Sequence, residues 1–434
     1  MLALAVVLAF GQQPADTAAQ AGARPCEVAI DTLPRYRQVG SNYYGGGHVV
    51  AHCKGTSTSL VSDSVAYYAA TGRFDMVGRV HIRDTALTLD AQRASYFLRE
   101  ERLEAHNQVV AVNRVTGSVL RGPNLNYYRA VVGIRDTVEM YATQRPTVEY
   151  RRTPDSGEPY LIVGDRIRFK GDDRVWAAGK VTVDRSDFAS RSDSLALDET
   201  TGTGVLTGAP RVEGRGSGAN DKGYTLVGTR IDLGLEKREV RLVKALGKGK
   251  ATGDDWTLTA DTIHLLVTER KLQRAFAWGD SSRPHAISSL YTLLADSLAI
   301  DTPDQVLTES RAYGNALSTA RRDSTAPASE TDWISGDSLR TRFGQETDSA
   351  GHTRSRLQQI HSWGSARALT HHYDEADSTR GPAINYSRGQ RIDVALKGAR
   401  IDTVVVGGKA DGVHLERPPA KPAAAADTTK HDDR

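Results

Sequence analysis

Residues 259–280 read T-A-D-T-I-H-L-L-V-T-E-R-K-L-Q-R-A-F-A-W-G-D, and how this stretch is taken decides the fold. Asp261 and His264 invite a catalytic or metal-binding interpretation. Residues three apart on a strand point to opposite faces, however, so these two side chains diverge. The apolar positions around them (Leu258, Ala260, Ile263 and Leu265) instead have the spacing of a strand with one buried face.

The six-residue core 260–265 recurs along the chain at 62–67, 91–96, 122–127, 164–169, 192–197, 228–233, 295–300, 336–341 and 381–386, which makes ten copies. Its first position is Ala, Gly or Ser in every copy, and its second is Asp in six. Its fourth position is always apolar, and its sixth is apolar in all but Thr341. His264 occupies a column filled elsewhere by Ala, Ser, Asn, Arg or Asp, which makes it an outward, variable position. The Asp column suits turn or backbone capping better than proton transfer. Each core is followed by a turn residue, usually glycine: Gly78, Asn107, Gly179, Gly208, Gly247, Gly279, Gly314, Gly364 and Gly407. The repeating unit is therefore strand, turn, strand. Units of this kind bury their apolar face only against neighbours and give an elongated all-β array. A one-start β-helix and a sandwich-like jelly roll extended along one axis both satisfy the pattern.

Composition agrees with a thin architecture. Apolar residues make up 39% of the 434, low for a thick core but too high for wholesale disorder. The net charge is +3, with both signs interspersed, so no dedicated nucleic-acid face is expected. Leu2–Phe10 matches a signal-peptide h-region and is too short to span a bilayer, so residues 1–26 read as a leader and arm. In an exported chain Cys26 and Cys53 are candidates for one disulfide; two unpaired thiols are the alternative. The polar stretches 318–332 and 345–356 read as loop insertions, and the tail 418–434 as disordered.

The pattern small-Asp-x-apolar-x-apolar followed by Gly-x-Val resembles the repeats of the OstA-like (organic solvent tolerance-like) family of lipopolysaccharide-transport periplasmic proteins. The Ala-Asp-x-Ile of residues 260–263 carries the resemblance, as does Tyr-Tyr-Ala-Ala-Thr-Gly-Arg-Phe-Asp-Met-Val-Gly-Arg-Val at 67–80. It covers about residues 45–413, and the insertion at 318–332 is the clearest departure. The resemblance implies an all-β, V-shaped open β-jelly roll of about ten repeats, with no catalysis and no cofactor. Its interior would shield the acyl chains of lipopolysaccharide or a related lipid in the periplasm. Partners would be other transport proteins whose jelly-roll edges stack end to end.

On that reading the lipid-lining residues are Val65, Tyr67, Leu89, Tyr96, Leu125, Ile167, Phe169, Leu195, Leu197, Ile231, Leu233, Leu258, Ile263, Leu265, Leu298, Ile300, Leu339 and Ile384. Tyr127 and Tyr386 fall on the same inward column. Alternatives of other classes are a structural or adhesive β-solenoid without cargo and a polysaccharide-processing β-helix enzyme. The enzyme would need convergent carboxylates, whereas the Asp column is spread along the chain. The run His371-His372-Tyr373-Asp374-Glu375 is not a metal motif, because adjacent histidines on a strand face opposite ways.

Overall fold

The computed structural model describes residues 25–151, 153–215, 223–236, 239–253, 256–288, 291–303, 306–321, 330–347, 353–373, 381–397 and 400–417. The leader up to residue 24, the tail 418–434 and residues 374–380 (with Asp374 and Glu375) lie outside them. The described residues form thirty antiparallel strands and no α-helix. Contacts divide the chain into a first unit ending at Gly179 and a second beginning at Lys180.

In both units the chain runs as a meander of long strands that bend in the middle. Strand Asn42–Cys53 pairs with Ser59–Tyr68 in two blocks, Tyr43↔Tyr67 to Gly46↔Ser64 and Val49↔Ser62 to His52↔Ser59. Between the blocks Gly47 and His48 together face the single residue Asp63, and both have positive φ (92° and 73°). Two residues against one is a β-bulge, which bends the strand and sharpens its twist. The same break falls at Gly78-Arg79, Asn107-Gln108, Gly247-Lys248, Gly314-Asn315 and Gly364-Ser365. Elsewhere the strand is interrupted outright at this point, as between Tyr160–Val163 and Arg166–Lys170. Each bent strand thus gives one half to each of two sheets, which meet at a corner. The glycines expected as hairpin turns are these corners, and the hairpins lie at the far ends of the strands, as at Asp84–Ala86.

Asp and Gly share the corner for a packing reason. A Cβ at Gly78, Gly179, Gly208, Gly279, Gly314 or Gly364 would overlap the side chain of Asp63, Asp165, Asp193, Asp261, Asp296 or Asp337, respectively. The carboxylate fills the space that a side chain on the next strand would need, and it finds donors there. Asp261 accepts from the Ser281 and Ser282 amides at 2.8 and 3.0 Å, and Asp63 accepts from the Arg79 guanidinium at 2.6 and 2.9 Å. Gly314→Val should therefore cost about 3 kcal/mol, from a β-branched residue at φ +77° and overlap with Asp296. Gly40→Ala, where nothing lies within 4 Å, should cost about 1 kcal/mol despite its positive φ. Urea midpoints of the two variants check the difference.

Three of the expected boundaries move. The tenth copy, placed at 381–386, has its corner at Gly389-Gln390 instead, where the register between Trp363↔Arg391 and Ala366↔Gly389 breaks. The stretch 345–356 is largely a ladder, with Gln345↔Ser355 and Gly344↔Arg356 paired on either side of residues 348–352, which lie outside the described residues. Its alternation is polar on both faces, which reads as loop. In the 318–332 stretch, Ser318–Ala320 and Asp332 are strand and 322–329 are outside the described residues.

Candidate functional site

The inner faces of the two sheets carry rows of side chains in direct register. In the second unit one row runs Leu195, Leu206, Ile231, Ala245, Ile263, Ala277, Leu298, Ala312, Leu339, Ser362 and Ile392, each the cross-strand partner of the next. All eleven are buried, and none is charged. The first unit has the corresponding row Val65, Met76, Ala94, Ala105, Leu125, Ala142, Ile167 and Ala177, also buried throughout. From Leu125 onward in the first unit, and from Ile231 to Ile392 in the second, large residues alternate with Ala or Ser along the row. The large members are the fourth column of the sequence pattern. The small members, such as Ala142, Ala245, Ala277 and Ala312, are not marked by the repeat columns; their signal is a fixed offset of two residues before the corner, which is glycine at Gly247, Gly279 and Gly314 and Gln144 after Ala142.

A second row lies nearer the hairpin ends. In the first unit it is rich in rings: Tyr67, Phe74, Tyr96, Leu103, Tyr127, Met140 and Phe169. In the second unit it includes Leu233, Val243, Leu265, Ala275 and Ile300, then turns polar where Ser310 hydrogen-bonds Thr341 inside the core.

Of the eighteen candidate lining residues, fourteen are buried. Leu89 and Leu258 belong to the sheet holding the other half of each bent strand. Tyr67, Leu197 and Ile300 are in row register but half-buried. Ile384 is not in the column. It pairs with His371 and Leu415, and its neighbour Ala383 is the buried residue; Ile392 and Val394 hold the two column positions. Tyr386 likewise sits on the outer face, with its ring 6.2 Å from that of Trp333.

Asp261 and His264 are separated as their spacing requires. Hydrogen bonds from the Ser282 amide and the Ser281 hydroxyl and amide hold the Asp261 carboxyl below its usual range. His264 lies outside against Trp278, ring centroids 4.5 Å apart, and burial with Lys244 nearby lowers its basicity. His371 is engaged through its amide and Nδ1 by Asp332. Cys26 and Cys53 form a disulfide.

Two cavities lie between the sheets of the first unit. One, of about 10 Å³, is walled by Cys53, Thr58, Leu60, Ile82, Leu87, Tyr96, Leu103 and Tyr127, with Asp84 and Arg129 at one end. The other, of about 30 Å³, includes Ala111, Leu120, Met140, Val148 and Phe169. Water-sized at most, neither accommodates an acyl chain while the sheets are closed.

Among the described residues, the buried charged groups Asp84, Glu101, Arg129 and Arg185 lie at the hairpin ends. In the first unit the fully buried Glu101 accepts from the Tyr96 hydroxyl (2.5 Å), Arg129 Nη1 (2.7 Å) and the Cys26 amide (2.6 Å). Asp84 accepts from the Tyr127 hydroxyl (3.1 Å) and from the amides of Ala86 and Leu87. Burial pushes both tyrosine hydroxyls well above their ordinary pKa. Burial opposes the charge on Arg129, but Tyr96, Glu101 and Asp84 together outweigh it and raise its pKa. In the second unit Arg185 bridges Asp187 (2.5 Å) and Glu239 (3.1 Å), again joining the end of one sheet to the end of the other.

No protein-family model and no curated protein matches the chain.

Proposed function

We propose that the chain is a non-catalytic lipid-shielding bridge or carrier, an open β-jelly roll of the OstA-like kind that serves lipopolysaccharide transport across a periplasm. The observation that carries this reading is the uncharged, buried row that passes without a break through eight strands of the first unit and eleven of the second. Each acyl CH₂ sheltered on such a surface gains about 0.8 kcal/mol. Because successive rungs are nearly equivalent, sliding along them costs little. The disulfide accords with an oxidising compartment. The two edges accord with end-to-end partners: strand Arg35–Val39 is exposed throughout, as is Asp411–Leu415 with Val413 and Leu415 outward. An exposed strand edge is a template for pairing with another chain.

A second reading is a structural β-array without cargo, which the small size of the two cavities in the first unit favours. A photo-crosslinking residue at Ile263 or Leu298, introduced in Gram-negative cells, separates the two. Carrier function gives lipopolysaccharide adducts at both positions and none at the outward His264. A structural array gives none at Ile263, Leu298 or the neighbouring rungs, and that result sinks the carrier reading.

A further inference from the structure

The two sheets of each unit are joined by backbone at the corner and free at the hairpin ends, so the hairpin side is the mouth through which the interior is reached. At the mouth of the first unit the sheets are tied by side chains. One sheet contributes Asp84, from the hairpin after strand Arg73–Arg83, and the Cys26 amide, fixed to Cys53 by the disulfide. The other contributes Tyr96, Glu101, Tyr127 and Arg129. Three contacts cross the mouth here: Tyr127 to Asp84 at 3.1 Å, Arg129 to Asp84 at 4.0 Å, and the Cys26 amide to Glu101 at 2.6 Å; farther along, Asn113 donates to Asp172 at 2.6 Å. All five residues are buried, and four of them (Asp84, Tyr96, Tyr127 and Arg129) line the small cavity shared by both sheets.

Apolar side chains here would seal the mouth as well and spare the desolvation of three charges. A polar tie differs in being directional and separable, because each partner finds water when it parts. The Cys26 contact depends on the residue's position rather than its side chain, and that position is set by the disulfide. We infer that Asp84, Glu101 and Arg129 form a latch that holds the mouth of the first unit shut, assembled by the Cys26–Cys53 disulfide and required to open before an acyl chain passes between the sheets. This rests on the carrier reading above. It adds that lipid admission is controlled at the hairpin side of residues 84–129 and is sensitive to thiol reduction.

The test uses the full chain and the apolar dye 1-N-phenylnaphthylamine, oxidised or reduced with dithiothreitol, in wild type and Glu101→Gln. Reduction and Glu101→Gln should each speed dye uptake about tenfold, the effect of losing one charge-assisted hydrogen bond. Combined, they should give little more than either alone, because both weaken the same tie. Hydrogen exchange at the Arg129 amide, which donates to the Glu101 carbonyl, should accelerate in parallel. Unchanged uptake on reduction, with the far-ultraviolet circular dichroism intact, overturns the latch, and additive effects overturn its assembly by the disulfide. Reduced wild type decides alone if Glu101→Gln does not fold. Lipid adducts at Ile263 and Leu298 with no change in dye uptake defeat the latch and spare the carrier. No adducts and no uptake in any form defeat both.

Discussion

An aspartate at Ile263 should unfold the second unit, whereas an aspartate one residue later, at His264, should leave it folded. Ile263 is fully buried, flanked in register by Ala245 and Ala277. A carboxylate there replaces a tightly packed side chain and meets only apolar groups from the row. Burying an unpaired charge and losing the packing together cost about 5 kcal/mol or more, comparable to the whole stability of an ordinary domain. His264 points the other way and has Lys244 as its cross-strand partner, so the same substitution there should cost less than about 1 kcal/mol. Urea unfolding followed by circular dichroism reads both. Equal effects would mean that the faces are wrongly assigned.

The second large effect is expected at Arg129. Arg129→Ala leaves Glu101 and Asp84 as buried carboxylates without their shared cation, and breaking a buried pair in this way costs about 3–5 kcal/mol. Because the cost comes from stranded charge, Glu101→Leu with Arg129→Met should restore most of the loss. The double variant should approach or exceed wild-type stability, as apolar replacements of buried ion pairs often do. A double variant no more stable than Arg129→Ala would mean that geometry, not charge, is what Arg129 supplies. The thermal transition of the first unit is the measurement.

Much of this fold was readable because its signal repeats. Leu195, Ile231, Ile263, Leu298 and Leu339 occupy one column in the sequence and one buried row in space. The period of two leaves no freedom: a slip by one residue would turn every member outward. The corner was harder to see. A glycine such as Gly78 or Gly314 followed by a polar residue is the usual mark of a hairpin, and nothing local to it reveals that the strand continues. Only the partner strand, which places Asp63 or Asp296 against it, tells a bend from a reversal. The tenth copy was misplaced because Gly381-Pro382 imitates the genuine corner Gly122-Pro123, while the true one, Gly389-Gln390, lacks the aspartate.

The latch left no trace in the sequence for a different reason. Glu101 and Arg129 sit in hairpins of unequal length, outside the repeating columns. Their partner Asp84 looks like an ordinary turn former, a role it also fills through the amides of Ala86 and Leu87. Meetings across the mouth depend on how two sheets close over one another, which no periodicity records.

The meander has a further consequence, for how the chain acquires its structure. Each bent strand pairs with the one before it and the one after it, as Leu87–Phe97 does with Arg73–Arg83 and Arg102–Asn113. No strand waits for a distant part of the chain, so loop closure is cheap at every step, which favours rapid folding for an all-β protein. A chain that emerges end-first during synthesis can add strands in the order they emerge. Each newcomer covers the raw edge left by its predecessor, so that besides the edge at Arg35–Val39 only the most recent one is open to aggregation at any moment.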